Sequence, residues 1–555
     1  MDFARNNRLT LKACSEDSLR HADTPARSRR YKTPSLLAGS LLIASLLGAC
    51  GRVAPPAPGT LTFLIESGPI NLDPRFATDA QSQNVDGLLF SSLVAHDAQM
   101  NIVPDVAQSW EMPDPKTFIF HLRSGVKFHD GRALTSADVK FTFDSVLNGI
   151  SSPNGMVRST KRGSFDRVAS IEAPDPLTVI FHLSEPRASF LWDMTRPAIG
   201  IVPNGSDTSI RYHPVGSGPF RFVSMVQDET VDVDRNLDYF AQPADRPGDT
   251  GTLVEHVHFR VVPDTVVRAL ELRKGSADIA GVSALIPDMT MTLKSDAGVA
   301  VADDPGTSLS YVAFNVTDPI LAHREVRQAL DYATDRDSII RYLLRGEARP
   351  AASLLPTGHW ANDPDLKPRP YDPSKAEQLL DAAGLPRGKD GVRFHLTLKT
   401  TNVQESTRLL GETLADQWKR VGVILEIRAL ETATFFADIA RGNFQLFTLK
   451  WLGANNDPSF YEYVFSSAKI PPNGYNRGRY SNPGVDALIA QERVEMDREK
   501  QKPIIWQIQR VIADDTPFIN LWFNDTVCEH RTRVTNVHLD PAGDYNFLEK
   551  VRLVQ

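Results

Sequence analysis

RFHLTLKTTNVQESTRLLGETLADQWKRVGVILEIRALETATFFADIARGNFQLFTLKWLG, residues 393–453, switches its hydrophobic period four times. Phe394, Leu396 and Leu398 alternate with more polar neighbours, as on a strand with one buried face. Leu410, Leu414 and Trp418 then recur at helical spacing within 405–422. Val423, Leu425 and Ile427 alternate again, opposite Glu426 and Arg428. TFFADIARGN (434–443) returns to a helix before the strand FQLFTLKW. Strands alternating with helices predict layered α/β structure. In open α/β sheets, ligands bind outside the carboxyl ends of the strands. Thr401-Asn402 is one such end, and Trp451-Leu452-Gly453-Ala454 is another. Trp451 offers a flat apolar face, and Gly453 lets a backbone come close. Trp451 reads equally well as buried core at a strand end. The turn beyond it carries one acid, Asp457, so this candidate cradle is poor in charge.

Outward from this run the pattern divides near residue 305. Before it, strands dominate: TFLIE (62–66), TFIFHL (117–122) and LTVIFHL (177–183) all alternate. The segment 134–149 predicts a helix, with Thr135 and Asp138 as a capping pair and Gly149 as its stop. After residue 305 helices and strands alternate. HREVRQALDYAT (323–334) is amphipathic, and DRDSIIRYLLRG (335–346) restarts behind an aspartate cap.

The beginning of the chain reads as an address. Arg27, Arg29, Arg30 and Lys32 precede an apolar run of 14 residues, Leu36–Ala49. A spanning helix needs about 20, so residues 1–49 read as a signal peptide. Leu47-Gly48-Ala49-Cys50 resembles a bacterial lipobox, which makes Cys50 the candidate lipidation site; the bland alternative is a secretory signal with a chance cysteine. GRVAPPAPGT (51–60) reads as an extended tether. With 61 Lys/Arg against 68 Asp/Glu the chain is acidic, and no basic face points to nucleic acid. Of the three cysteines only Cys50 and Cys528 follow the signal segment, so a lipidated Cys50 leaves no internal disulfide.

Enzyme motifs are missing. No GxSxG, HExxH or Walker-type GxxxxGK[ST] occurs. His256 and His258 share one face of a strand but lack a third well-placed ligand, so no metal is expected. Phe128-His129-Asp130-Gly131 reads as a tight turn closed by Gly131 rather than an acid–base pair. The expectation is a binding protein without cofactor or catalytic residues.

Several ordered blocks carry a resemblance: NLDPRFATDAQSQNVDGLLFSSLVAHD (71–97), DVAQSWEMPDPKTFIFHLRSGVKFHDGRALTSADVKFTFDSVL (105–147), GSGPFRF (216–222), VRQALDYATDRDSII (326–340) and the Trp451…Asn456-Asp457-Pro458 turn. Together they resemble the extracellular solute-binding proteins of family 5, the dipeptide/oligopeptide/nickel class that serves ABC importers. The similarity runs from about residue 60 to the end of the chain. It implies a two-lobed periplasmic binding protein fold, α/β with mixed sheets and a hinge, with ligand held in the cleft. Lobe I is then 61–305 with a return segment 525–555, and lobe II is 306–524. The resemblance places backbone of Thr78, Asp79 and Ala80 against a ligand, opposite the turn after Trp451. Dipeptide and oligopeptide members hold the ligand's ammonium with an Asp three residues after that Trp, where this chain has Ala454. Dipeptide members grip the carboxylate with an Arg, and the matching position here is Thr401. Leaving both ends of a zwitterion uncompensated costs several kcal/mol, which argues against a tight dipeptide site built in that manner. Asp457 is the remaining acid for an ammonium.

The function expected is a lipid-anchored, monomeric receptor that captures a peptide or peptide-like solute for an ABC permease and its ATPase, outside the cytoplasm. The alternatives are a receptor for an oligosaccharide or a metal chelate, and a periplasmic sensor or chaperone on the same fold. Adjacent permease genes favour import, and an adjacent receptor kinase favours sensing.

Overall fold

The periods read from residues 393–453 become a parallel three-stranded set. Phe394, Leu396 and Leu398 turn into the core, and the strand Phe394–Thr401 pairs in parallel with Val423–Leu430 and Leu446–Trp451. The chain's structure, a computed structural model, describes residues 59–554 apart from 98, 154, 196–198, 244–249, 403, 404, 452 and 454–456. The signal segment, the tether before Gly59, Cys50, Leu452 and Ala454 lie outside the described residues.

Along the chain run β1 (Thr60–Ile65), β2 (Thr117–Leu122), β3 (Thr178–Leu183), β4 (Phe220–Val226), β5 (Thr230–Arg235), β6 (His256–Val261), β7 (Ile279–Val282), β8 (Val299–Phe314), β9 (Phe394–Thr401), β10 (Val423–Leu430), β11 (Leu446–Trp451) and β12 (Phe518–Arg531). An eleven-stranded sheet has the order β4-β5-β6-β1-β7-β12-β8-β11-β9-β10, with Ala348–Pro350 added on β12. β1 is parallel to β6 and β7, and β9 is parallel to β10 and β11. Between these two parallel sets lie β8 and β12, of 16 and 14 residues, antiparallel to each other.

The two long strands connect separate cores. Cys528 of β12 packs with Leu61, Phe63 and Phe259, together with Phe547 and Leu548 near the chain's end. Ile519 and Leu521 of the same strand pack instead with Leu396, Leu414 and Trp418. β8 behaves likewise, giving Val299 to one apolar cluster and Val312 and Phe314 to another.

A four-stranded sheet explains the repeated Ile-Phe-His-Leu pattern. β2 and β3 are neighbours, with Phe118 opposite Phe181. Phe143 of α1 (Ser136–Asn148) meets Phe181 edge to face at 5.0 Å. That helix starts at the expected capping box: Asp138 Oδ2 accepts from Thr135 N at 2.7 Å and from Thr135 Oγ1 at 2.8 Å. It stops at Gly149, whose φ of 81° favours glycine. His256 and His258 do share a face, but each is bonded to an aspartate across the strand, Asp234 at 2.5 Å and Asp232 at 2.7 Å. Gly131 closes the turn after Phe128, donating to its carbonyl at 2.9 Å.

Candidate ligand-binding cleft

A cavity of about 1090 Å³ lies where the two parallel strand sets face each other. Its floor is built by the middle strands. Ser308 and Ser310 of β8 and Trp522, Asn524 and Thr526 of β12 line it. Ser310 Oγ donates to Asn524 Oδ1 at 2.9 Å, which fixes both polar groups in that floor. One wall holds Glu66, immediately after β1, and Gln81 of the helix Ala80–Leu89. The opposite wall holds Thr401 at the end of β9 and Thr448 and Lys450 of β11. The carboxyl ends of parallel strands from both sets therefore reach the cavity, as the topology of open α/β sheets favours.

Of the residues expected in the site, Ala80, Thr401 and Gly453 line the cavity. The other described ones do not. Thr78 is exposed, and Asp79 caps the helix that follows, its Oδ1 accepting from Ser82 N at 2.8 Å. Asn402 donates its backbone N–H to Leu430 O at 3.0 Å and continues the sheet edge. Trp451 takes the core position. Its indole stacks on Tyr311 at 5.4 Å and 7°, and Phe460 meets it edge-on at 5.1 Å. Strand alternation is the reason: Phe447 and Trp451 pack with the cluster that holds Tyr311 and Phe518, Thr448 and Lys450 face the cavity, and Leu449, partly buried in that cluster, reaches the cavity as well. Asp457 lies beyond, with Oδ1 accepting from Ser459 N at 2.9 Å; burial raises its pKa.

Sequence reasoning overlooked the charged groups of the cavity. Lys450 was legible in principle from the alternation of LFTLKW, and Glu66 from its place directly after a buried strand. Asp193 was not, because its position depends on a short helix, Phe190–Asp193, and on packing against Asp457. Burial pushes Asp193 up to about 7, opposed by the Arg187 guanidinium 2.9 Å away. Lys161 also lines the cavity and donates to Pro74 O at 2.7 Å; burial lowers its pKa to about 8. Among the described residues, His96, Asp540 and Asp544 bring possible metal-ligating atoms within 4.8 Å of one another. Each has a structural partner: His96 stacks on Trp192, Asp540 accepts from Ala542 N, and Asp544 accepts from Asn546 N.

The model of the bacterial extracellular solute-binding proteins, family 5 middle region, matches residues 101–472. The chain belongs to this family. A di/tripeptide-binding protein of Pseudomonas aeruginosa is 28% identical over 545 residues, 92% of this chain and 98% of that protein. The glutathione-binding protein GsiB of Pectobacterium atrosepticum is 29% identical over 491 residues, 86% of this chain and 91% of that protein. Among solved structures, the substrate-binding protein CtaP of Listeria monocytogenes has a TM-score of 0.77 at 25% identity, covering 89% of this chain and 99% of its own. NikA from Brucella suis, in complex with Fe(III)-EDTA, has a TM-score of 0.78 at 22% identity, covering 89% and 100%; this likeness concerns the fold alone. The fold is that of the periplasmic binding proteins, α/β with mixed sheets. Family members bind solutes rather than transform them, and this chain is a binding protein, not an enzyme. Among the described residues no helix is long and apolar enough to cross a membrane.

Proposed function

We propose that this chain is the solute receptor of an ABC importer and that it takes peptides or peptide-like molecules. The observation that carries this reading is the polar, charged cavity of about 1090 Å³ reached by strand ends from both parallel sets. Its size is at the upper end of small-molecule pockets, roughly 300–1,000 Å³, and suits a short peptide. The peptide- and glutathione-binding relatives support the same class. In this reading residues 61–305 with 525–555 form one lobe and 306–524 the other, and β8 and β12 are the hinge. Closure excludes water and strengthens the polar contacts inside. The receptor acts as a monomer tethered through a lipid on Cys50 after removal of residues 1–49, and it hands its solute to a permease driven by an ATPase.

Mass spectrometry of solute released from protein purified without dialysis tests the proposal directly. Peptides in the released fraction, and stabilisation of the protein by di- to pentapeptides in thermal-shift screening, are the expected results. A second reading, an oligosaccharide or metal chelate, is favoured by one observation: the cavity wall carries neutral Thr401, at the position where the family resemblance implies an arginine in dipeptide-binding members. Stabilisation by those solutes and by no peptide decides for it.

A further inference from the structure

Most charged groups on the cavity wall have partners. Asp193 is bonded to Arg187 and Ser189, Asp525 to Arg349, and Asp544 to Asn546. His96 faces Asp540, and Lys161 donates to the Pro74 carbonyl. Glu66 and Lys450 differ. Among the described residues neither makes a hydrogen bond or ion pair, although both line the cavity. Arg268, whose charge Glu66 feels, directs Nη1 and Nη2 to the carbonyls of Val262, Pro263 and Ala284.

The two groups have opposite charge and sit on opposite walls. Glu66 follows β1, in the β6-β1-β7 set. Lys450 is on β11, beside β9, and lies opposite Ser310 in the pairing with β8. The strands β8 and β12 separate these sets, so the charges flank the floor that Ser310 and Asn524 build. Lys450 is exposed to the open cavity and has no counter-charge among the described residues, so its ammonium is free to meet an arriving anion.

We propose that Lys450 binds the carboxylate of the solute and Glu66 its ammonium, so that one zwitterion spans the cavity from wall to wall. This rests on the peptide reading above and specifies it. The carboxylate is then gripped without a cation at Thr401, and the ammonium is held from the wall opposite Lys450. Each half of the protein holds one end of the solute.

Calorimetric titration of trialanine, its C-terminal amide and its N-acetyl form tests the assignment, with wild type, Lys450→Met, Lys450→Arg and Glu66→Gln. Amidation is expected to weaken binding to the wild type about tenfold or more. Lys450→Met should abolish that difference, and Lys450→Arg should restore it. Acetylation should weaken the wild type similarly, and Glu66→Gln should abolish that difference alone. Unfolding curves of the variants should overlay the wild type, which separates recognition from folding. The assignment is overturned if either penalty persists undiminished in its own variant while trialanine still binds; the peptide reading then survives. If no peptide binds the wild type, the peptide reading falls. The solute eluted from undialysed protein then decides: a zwitterion weakened by Lys450→Met and Glu66→Gln supports the charge pairing, and any other result overturns it.

Discussion

Lys450 and Trp451 are adjacent in sequence and opposite in role. The strand's two-residue period sends the lysine to the cavity and the indole to the Tyr311–Phe460 stack. From sequence, Trp451 had two equal readings because a large aromatic at a strand end serves either purpose. The packing of Tyr311 and Phe518, at 4.7 Å and 16°, extends the stack on one side of β8 and favours the core reading. Trp451→Ala should therefore act on stability, lowering it by about 3 kcal/mol, near the low end for aromatic-to-alanine changes because the ring is only partly buried. Urea denaturation measures this, and Trp451→Phe, which keeps an aromatic ring in the stack, should recover most of the lost stability. A Trp451→Ala protein with wild-type stability and no solute binding would refute the core assignment.

Elements were more legible than their pairings. The helix Ser136–Asn148 begins where Thr135 and Asp138 announce it, and the strand Phe394–Thr401 lies within the alternating stretch read from 393–401, because caps and strong periods are local signals. The order of the large sheet is not local: Thr62 N donates to Asp278 Oδ2 across 216 residues, and no pattern near either residue specifies that bond. The site shows the same division. Thr401 and Gly453 were legible as strand ends and Ala80 only through the family resemblance, whereas Glu66 and Lys450, placeable on their strands, gain a role only once the second strand set is placed opposite them. Two substitutions test elements separately. Asp138→Ala removes acceptors for Thr135 N, Thr135 Oγ1 and Asn204 N, and should lower stability by about 2 kcal/mol; thermal melts of that variant against Lys140→Ala, on the same helix, isolate the cap. Gly306 lies on β8 where its register against β12 shifts. A Cβ there would come within 2.3 Å of Asn524 O, a backbone atom with little room to yield. Gly306→Ala should cost about 1–3 kcal/mol, and a melt indistinguishable from wild type would show that the strand pair accommodates it.

The whole molecule carries an acidic cluster where residues before 305 meet residues after it. Ala188 N donates to Arg493 O at 3.1 Å, and Arg498 Nη1 donates to Asn101 Oδ1 at 3.3 Å. Asp193, Asp457 and Glu492 gather there, with Glu462, Arg187, Arg493 and Arg498 around them. Burial raises Asp193 to about 7 and Glu492 to about 8, and each acid also feels the charge of Asp457. Both pKa values lie above those of unfolded Asp and Glu, about 4. Between pH 4 and these values the folded protein holds protons that the unfolded chain has released. Stability consequently falls as pH rises from about 4 to 8, at up to about 1.4 kcal/mol per pH unit for each group, and levels off above. In the two-lobe division proposed above, these acids lie where the lobes meet, so separating the lobes in water would return them toward ordinary values, and alkaline conditions should favour separation. Chemical denaturation from pH 5 to 9 should show this decline, and Asp193→Asn with Glu492→Gln should make it shallower, the remaining slope coming from other buried acids such as Glu347, which burial raises to about 7. Small-angle scattering of the solute-free protein should detect expansion between pH 6 and 9 in the wild type and little in the double variant. A stability that climbs over this interval, or an expansion indifferent to both substitutions, would remove the cluster as the source of pH dependence.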